Sequence, residues 1–522
     1  MNDARLDDVT RPYAQAAVAV LPRVLAGFDR NPASPTFGVG DRFHWAWGLI
    51  DFPNATFQSV VHGMARLWTN DLWPYPTDVG RFVDRMDSAI QAVRTCTARD
   101  GSLSEAFPGE GSWCVTALAA FDVLAATELM RPEIGDDLAQ RWVDIVDPLA
   151  RLLRRTDETH AFISNHLATG AAALHRWADV TGCDHSREAA ERIIARIIDR
   201  QHREGWYLEY QGADPGYQSL ATYYLADIVG RRDHPELRES LVRSVEFVRH
   251  FAHPDGSFGG AYGSRNTRFF VPAGFHLLAA ISQDARALAI QMAASVRAQT
   301  VVTLAAIDAP NLPPLFNAYC LAAVTPVAPG PTVALPAFAA TSTRVEFPGA
   351  GLLVDAGPIH YTVVGTKKGG VVQHYVSGHE AVVDCGALYR RGADVGSAQA
   401  FDDASTWGIS GSTLTVDADV RSVVTDVPKP WQFAALRLAT MSVLRIRGLR
   451  EWLKRRLVRR LVTGPKRWNV RNVRTIELGA DLRVSDVTHP DGDLRRVHPG
   501  APFSAIHMAS QGYWQMQDEG PA

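Results

Sequence analysis

Val324-Thr325-Pro326-Val327-Ala328-Pro329-Gly330-Pro331-Thr332-Val333-Ala334-Leu335-Pro336 divides this chain. Its four prolines and one glycine exclude a helix interior or a central strand, because proline supplies no backbone N–H and blocks the preceding turn. The stretch reads as an inter-domain connection. Upstream, apolar residues recur at three-to-four spacing in Val115–Leu129, Leu138–Leu153, Ala168–Ala178, Arg187–Gln201, Leu237–Phe251 and Gln283–Thr300. Short turns rich in Gly, Pro, Asp and aromatic residues separate them. Helix, turn, helix without a strict repeat period predicts hairpins closed into an (α/α) toroid rather than a solenoid.

Downstream the period changes to two. Thr343–Phe347, Leu352–Asp355, His360–Gly365, Val371–Val376, Ala381–Cys385 and Ser412–Asp417 are β-rich and punctuated by glycine. They predict an antiparallel β-sandwich. The expected organisation is therefore a toroid over residues 1–325 and a sandwich over 326–522. Near 431–461 the sandwich is interrupted by a basic amphipathic helix, with Arg445, Arg447, Arg450, Lys454, Arg455, Arg456, Arg459 and Arg460 among leucines and Trp452. Such a helix predicts peripheral contact with an anionic membrane; the plainer alternative packs its apolar face on the protein.

At 522 residues the chain exceeds what one core serves, and 46% apolar content suffices for two. A net charge of −3 makes no electrostatic case for nucleic acid. Five dispersed cysteines without a CxxC pair argue against a disulfide framework. The acidic N-terminus lacks the pattern of a signal peptide, and no stretch reads as long and apolar enough to span a bilayer. A cytoplasmic, membrane-peripheral location is the expectation.

Candidate chemistry centres on Asn165-His166, which opens a helical segment of small residues. Tyr217, Tyr223 and Tyr224 follow within sixty residues, and His374 lies in a strand of the second half. An amide, an imidazole and a phenol suit neutralising a carboxylate and moving a proton beside it. Each has a plain alternative: Asn165 as a helix cap, the tyrosines as core aromatics, His374 as an ordinary strand residue. Glu209, Asp214, Tyr262, Arg265 and Asn266 lie in Gly-rich turns suited to binding sugar, and Trp45 and Trp47 suit stacking.

A helical toroid followed by a sandwich, with Asn165-His166, a following tyrosine and His374, resembles the heparinase II/III-like polysaccharide lyases and their alginate lyase and uronate epimerase relatives. The resemblance implies β-elimination on a uronate-containing polysaccharide. Asn165 and His166 would neutralise the carboxylate; one of Tyr217, Tyr223 or Tyr224 would act as acid, alone or as base too; and His374 would be base or neutraliser according to the uronate stereochemistry. His374-Tyr375-Val376-Ser377-Gly378-His379 departs from that family's His-x-His-x-Asp cluster, so no metal and no cofactor is assigned. An epimerase would use the same groups. Glu105, Glu110, Glu209, Asp214 and Asp255 support a rival, a glycoside hydrolase with paired carboxylates. A non-catalytic glycan-binding protein of a polysaccharide assembly system is the third reading.

Overall fold

A computed structural model describes residues 6–423, 427–459, 465–490, 494–497, 502–506 and 512–513. Twelve helices come first: α1 (Arg11–Ala26), α2 (Arg42–Trp45), α3 (Val61–Thr69), α4 (Val79–Cys96), α5 (Trp113–Arg155), α6 (Ser164–Thr181), α7 (Asp184–Arg200), α8 (Pro215–Arg231), α9 (Pro235–Val248), α10 (Ala273–Leu278), α11 (Gln283–Ala298) and α12 (Leu312–Val324). Helices α3, α5, α6, α8, α10 and α12 each touch the next, and α12 returns to α3. They form a closed inner ring, with α1, α4, α7, α9 and α11 packed outside it.

Local chemistry explains the ring. The backbone of α5 leaves helical geometry at Gly135 (φ 70°), which splits the element into the two segments expected from periodicity. Inner helices approach closely where residues are small. A Cβ on Gly170 would meet the Trp113 ring at 2.0 Å, so this glycine lets the start of α5 dock on α6. Asp214 caps α8 by accepting from the Tyr217 N–H, with Pro215 at the first helical position. One expectation needs correction. By length and composition α5 is apolar enough to cross a membrane, yet 83% of its apolar window is buried in the ring.

The second half is antiparallel. Strands β1 (Thr343–Phe347), β2 (Leu352–Ala356), β3 (His360–Gly365), β4 (Val371–Val376) and β5 (Val382–Asp384) form one sheet in sequence order. A second sheet contains β6 (Leu388–Arg391), β7 (Asp394–Ser397), β8 (Thr406–Ser410), β9 (Thr413–Ser422), β10 (Arg467–Glu477), β11 (Arg483–His489) and β12 (Arg495–Val497). Its order is β11-β10-β9-β7-β6-β12, with β8 on β9. Between β9 and β10 lie α13 (Pro430–Met441) and α14 (Arg447–Val458). Residues 460 and 461 of the expected basic helix lie outside the described residues.

Alternation along the first sheet decides what faces the ring. Leu352, Val354, Tyr361, Val363, Val371 and Tyr375 join the apolar cluster of the helices. Leu353, Val364 and Val372 point the other way, against Leu414, Val416 and Ile476 of the second sheet.

Candidate active site

Three loops leading into inner helices are stitched together by their backbones. Ser164 donates to the Leu208 carbonyl, Tyr210 to Phe162, and Ser264 to Ala213, at 3.1, 3.0 and 2.8 Å. This joins the loop before α6, the loop before α8 and the Gly-rich loop before α10. Glu209 accepts from the Asn165 backbone N–H and from its side-chain Nδ2, both at 2.9 Å. Asp214 accepts from the Arg265 N–H at 2.8 Å while capping α8. Lys368 of the first sheet donates to the Ala261 and Gly263 carbonyls, each at 2.6 Å, and to Asn266 Oδ1. The turn therefore rests on both halves of the chain.

On this frame sits an unusual cation. Arg265 is 6% exposed, and its Nε and Nη1 donors have no protein partner among the described residues. Its guanidinium carbon lies 4.6 Å from the Tyr210 ring centroid and 5.9 Å from that of Tyr217. Burial opposes its charge, but Tyr210, Tyr217, Asp214 and Glu209 favour it and raise its pKa. Tyr210 holds a left-handed backbone (φ 61°), a conformation costly for a bulky residue and frequent at functional sites.

Glu158 bridges two imidazoles, His160 Nδ1 at 2.7 Å and His166 Nδ1 at 2.8 Å. Burial opposes its ionisation, but the hydrogen bonds from His160 and His166 outweigh that and hold its carboxyl far below the usual range. An ionised carboxylate only accepts, so His166 Nδ1 carries the proton of its bond to Glu158. The Nε2 lone pair of His166 is left to act as a base. The His160 ring lies 6.5 Å from both the His166 and the Tyr210 rings, linking this dyad to Arg265.

Three other carboxyls are displaced upward. Burial pushes Glu209 to about 8 despite its bonds to Asn165. Burial, with Glu110 beside it, pushes Glu105 to about 7, and Ser112 donates to it at 3.2 Å. Burial also raises Asp214. Among the described residues, no group of three or more His, Cys, Asp or Glu could hold a metal ion.

Asn165, His166, Glu209, Asp214, Tyr217 and Arg265 are thus gathered, though Asn165 is engaged with Glu209. Other expectations are corrected. Tyr223 is fully buried, its hydroxyl without a partner among the described residues, packed edge-on to Phe121 two turns down α8 from the loops. Burial raises its pKa well above the ordinary value, which disqualifies it as an exchangeable acid here. His374 shares with Val372 the face turned to the second sheet, where it meets Thr362 Oγ1 at 2.8 Å and the Ala480 carbonyl at 3.3 Å. Tyr262 is buried against His253 Nε2 at 2.9 Å. Asn266 spends its amide on Lys368 and Ser504. Trp45 donates to the Gly27 carbonyl at 2.6 Å, while Trp47 stands exposed; neither stacks on the cluster among the described residues. Sequence reasoning missed Glu158, His160 and Tyr210. Their one signal was the recurrence of His160 six residues before His166.

No family model and no curated protein matches the chain. Solved structures similar to it include a Paenibacillus xanthan lyase (10% identity, 81% of this chain and 46% of that one, TM-score 0.46). Heparinase III is similar at 10% identity over 89% of this chain and 73% of that one, TM-score 0.42. An unsaturated glucuronyl hydrolase from Streptococcus agalactiae is similar at 9% identity over 62% and 93%, TM-score 0.42. The chain therefore spans under half the length of the xanthan lyase.

Proposed function

We propose that this protein is a carbohydrate-active enzyme that cleaves a uronate-containing polysaccharide by β-elimination. The proposal takes residues 1–325 as the catalytic unit and 326–522 as its support, with the two sheets read as a β-sandwich. The observation that carries the reaction is Arg265: a buried guanidinium with two unpartnered donors, placed over Tyr210 and Tyr217. A bound uronate carboxylate would accept a charge-assisted hydrogen bond from this guanidinium, the kind of anion contact that favours arginine.

The same contact stabilises the negative charge that moves onto the carboxylate when the α proton leaves. His166 Nε2 takes that proton. The C–H electron pair becomes the new double bond, the glycosidic C–O bond breaks, and Tyr217 protonates the leaving oxygen. Solvent then resets both residues. Asn165 positions Glu209 instead of touching the substrate. The test is ultraviolet absorbance of unsaturated uronate during incubation with acidic polysaccharides. Arg265→Ala and His166→Ala should each lower the rate by about 10²-fold or more. Absorbance that persists in both variants overturns the assignment.

One observation favours a second reading. Glu105 and Glu209 are both held near neutral pKa, at about 7 and about 8, as a glycosidase acid would be. New reducing ends without absorbance, lost in Glu105→Gln, would establish that hydrolase.

A further inference from the structure

Helices α13 and α14 do not take the plainer alternative, an apolar face packed on the protein. The face of α14 turned to the protein is polar. Arg450 pairs with Asp100 at 2.9 Å and donates to the Gly109 carbonyl. Lys454 donates to the Gly111 carbonyl, and Glu451 accepts from Thr159 at 2.8 Å. The apolar side chains point outward: Trp431 is 64% exposed, Phe433 59%, Leu438 69%, Met441 56%, Ile446 61% and Trp452 51%. Helix α13 buries no residue at all. A helix of 12 residues that buries none of them is marginal in water, so this one gains from a second phase that covers it.

Charge identifies that phase. Residues 427–459 hold nine Lys or Arg and a single acid, Glu451, in a chain whose net charge is −3. Arg437, Arg450 and Lys454 pair with Asp51, Asp100 and Glu451. The other six make no ion pair among the described residues. Basic and apolar tips are interleaved on the same outward surface. A soluble polyanion would meet the arginines and leave the aliphatic tips in water. A lipid surface takes both, with guanidinium at phosphate and Trp, Phe and Leu below the headgroups.

We propose that α13 and α14 dock this protein on an anionic phospholipid bilayer, holding the loops before α5 and α6 close to the lipid surface. The test is flotation of the full-length protein with phosphatidylcholine vesicles, with and without phosphatidylglycerol. The wild type should float only with the anionic lipid and be released by high salt. A form carrying Arg445→Gln, Arg455→Gln and Arg456→Gln should bind roughly 100-fold more weakly. A form carrying Phe433→Ser, Leu438→Ser and Trp452→Ser should also fail to float, with an unchanged melting temperature. These side chains are exposed, so the fold does not depend on them. Failure of the wild type to float, or equal recovery on neutral vesicles, overturns the proposal without any variant. A wild-type dimer that the serine form dissolves, without lipid binding, would assign the surface to a second copy and equally overturn it.

Discussion

Glu209→Gln tests the electrostatic core of the site. The Glu209 carboxyl rises from 4.5 to about 8 through burial. Between those values the folded chain holds a proton that the unfolded chain has lost. An acid raised on folding contributes stability that is full below about pH 4.5 and declines as pH rises toward 8. At about 1.4 kcal/mol per unit, the interval corresponds to roughly 5 kcal/mol for the fully buried group. Glutamine carries no such linkage. Its amide fits the same cleft, because Asn165 can rotate so that Gln Nε2 donates to Asn165 Oδ1 while the Asn165 N–H still finds the Gln oxygen.

Urea unfolding of both forms across pH 5 to 9 is the assay. The variant should gain on the wild type as pH rises, by about 1 kcal/mol or more per pH unit through the middle of the range. A stability difference that stays constant with pH would refute the buried neutral carboxyl. Product formation is the second readout. If Glu209 only ties the loop before α8 to Asn165, the glutamine form keeps activity within about tenfold, a smaller loss than removal of a general acid produces. Loss of all activity would place Glu209 in the chemistry and favour the hydrolase.

Other variants separate support from chemistry. Tyr223→Phe removes a buried hydroxyl that has no protein partner, so stability should change by less than about 1 kcal/mol and turnover not at all. His374→Ala breaks the bond to Thr362 and should cost about 1–3 kcal/mol in thermal unfolding, with unchanged turnover per folded molecule. Lys368→Met leaves three oxygens of the 261–266 turn without their donor. It should cost about 3 kcal/mol and lower turnover, because Arg265 lies inside that turn. Full turnover in this last variant would show that the turn holds Arg265 without help from the second half.

Helices α5, α6, α7, α9 and α11 and strands β1 to β5 were legible because each is governed by a short period. Val371–Val376 announced a strand by composition and turn spacing. Which face His374 occupied was not legible. Alternation fixes only that His374 opposes Gln373 and Tyr375; the partner of each face emerges from tertiary packing. The same limit applies to α14. Arg450, Glu451 and Lys454 lie on one polar side, and nothing local says that Asp100, Gly109 and Thr159 would be waiting for it. Asn165-His166 was visible, but Glu158 and His160 were not singled out. They acquire a role only when Tyr210 and Phe162 close the loops together.

Five carboxyls, Glu105, Glu110, Glu158, Glu209 and Asp214, lie in the loops around a site proposed for an acidic sugar, which on charge alone should repel its substrate. The structure answers the objection group by group. Glu209, raised to about 8, is largely neutral at pH 7, and Glu105, raised to about 7, is about half so. Glu158 is bracketed by two imidazoles, and Asp214 spends its oxygens on backbone N–H groups of α8 and the Arg265 turn. Glu110 turns an oxygen to the backbone N–H groups of Glu105 and Ala106. Arg265 then presents the charge that a uronate meets. The balance fails at alkaline pH, when Glu105 and Glu209 ionise. KM for an acidic polysaccharide should therefore rise as pH passes about 8, by roughly tenfold if ionisation costs the bound carboxylate about 1.4 kcal/mol. A neutral oligosaccharide bound in the same cleft would not share that penalty. A KM that stays flat from pH 6 to 9 for the acidic substrate would mean that its carboxylate is held away from Glu105 and Glu209, and Arg265 could not then be its anchor.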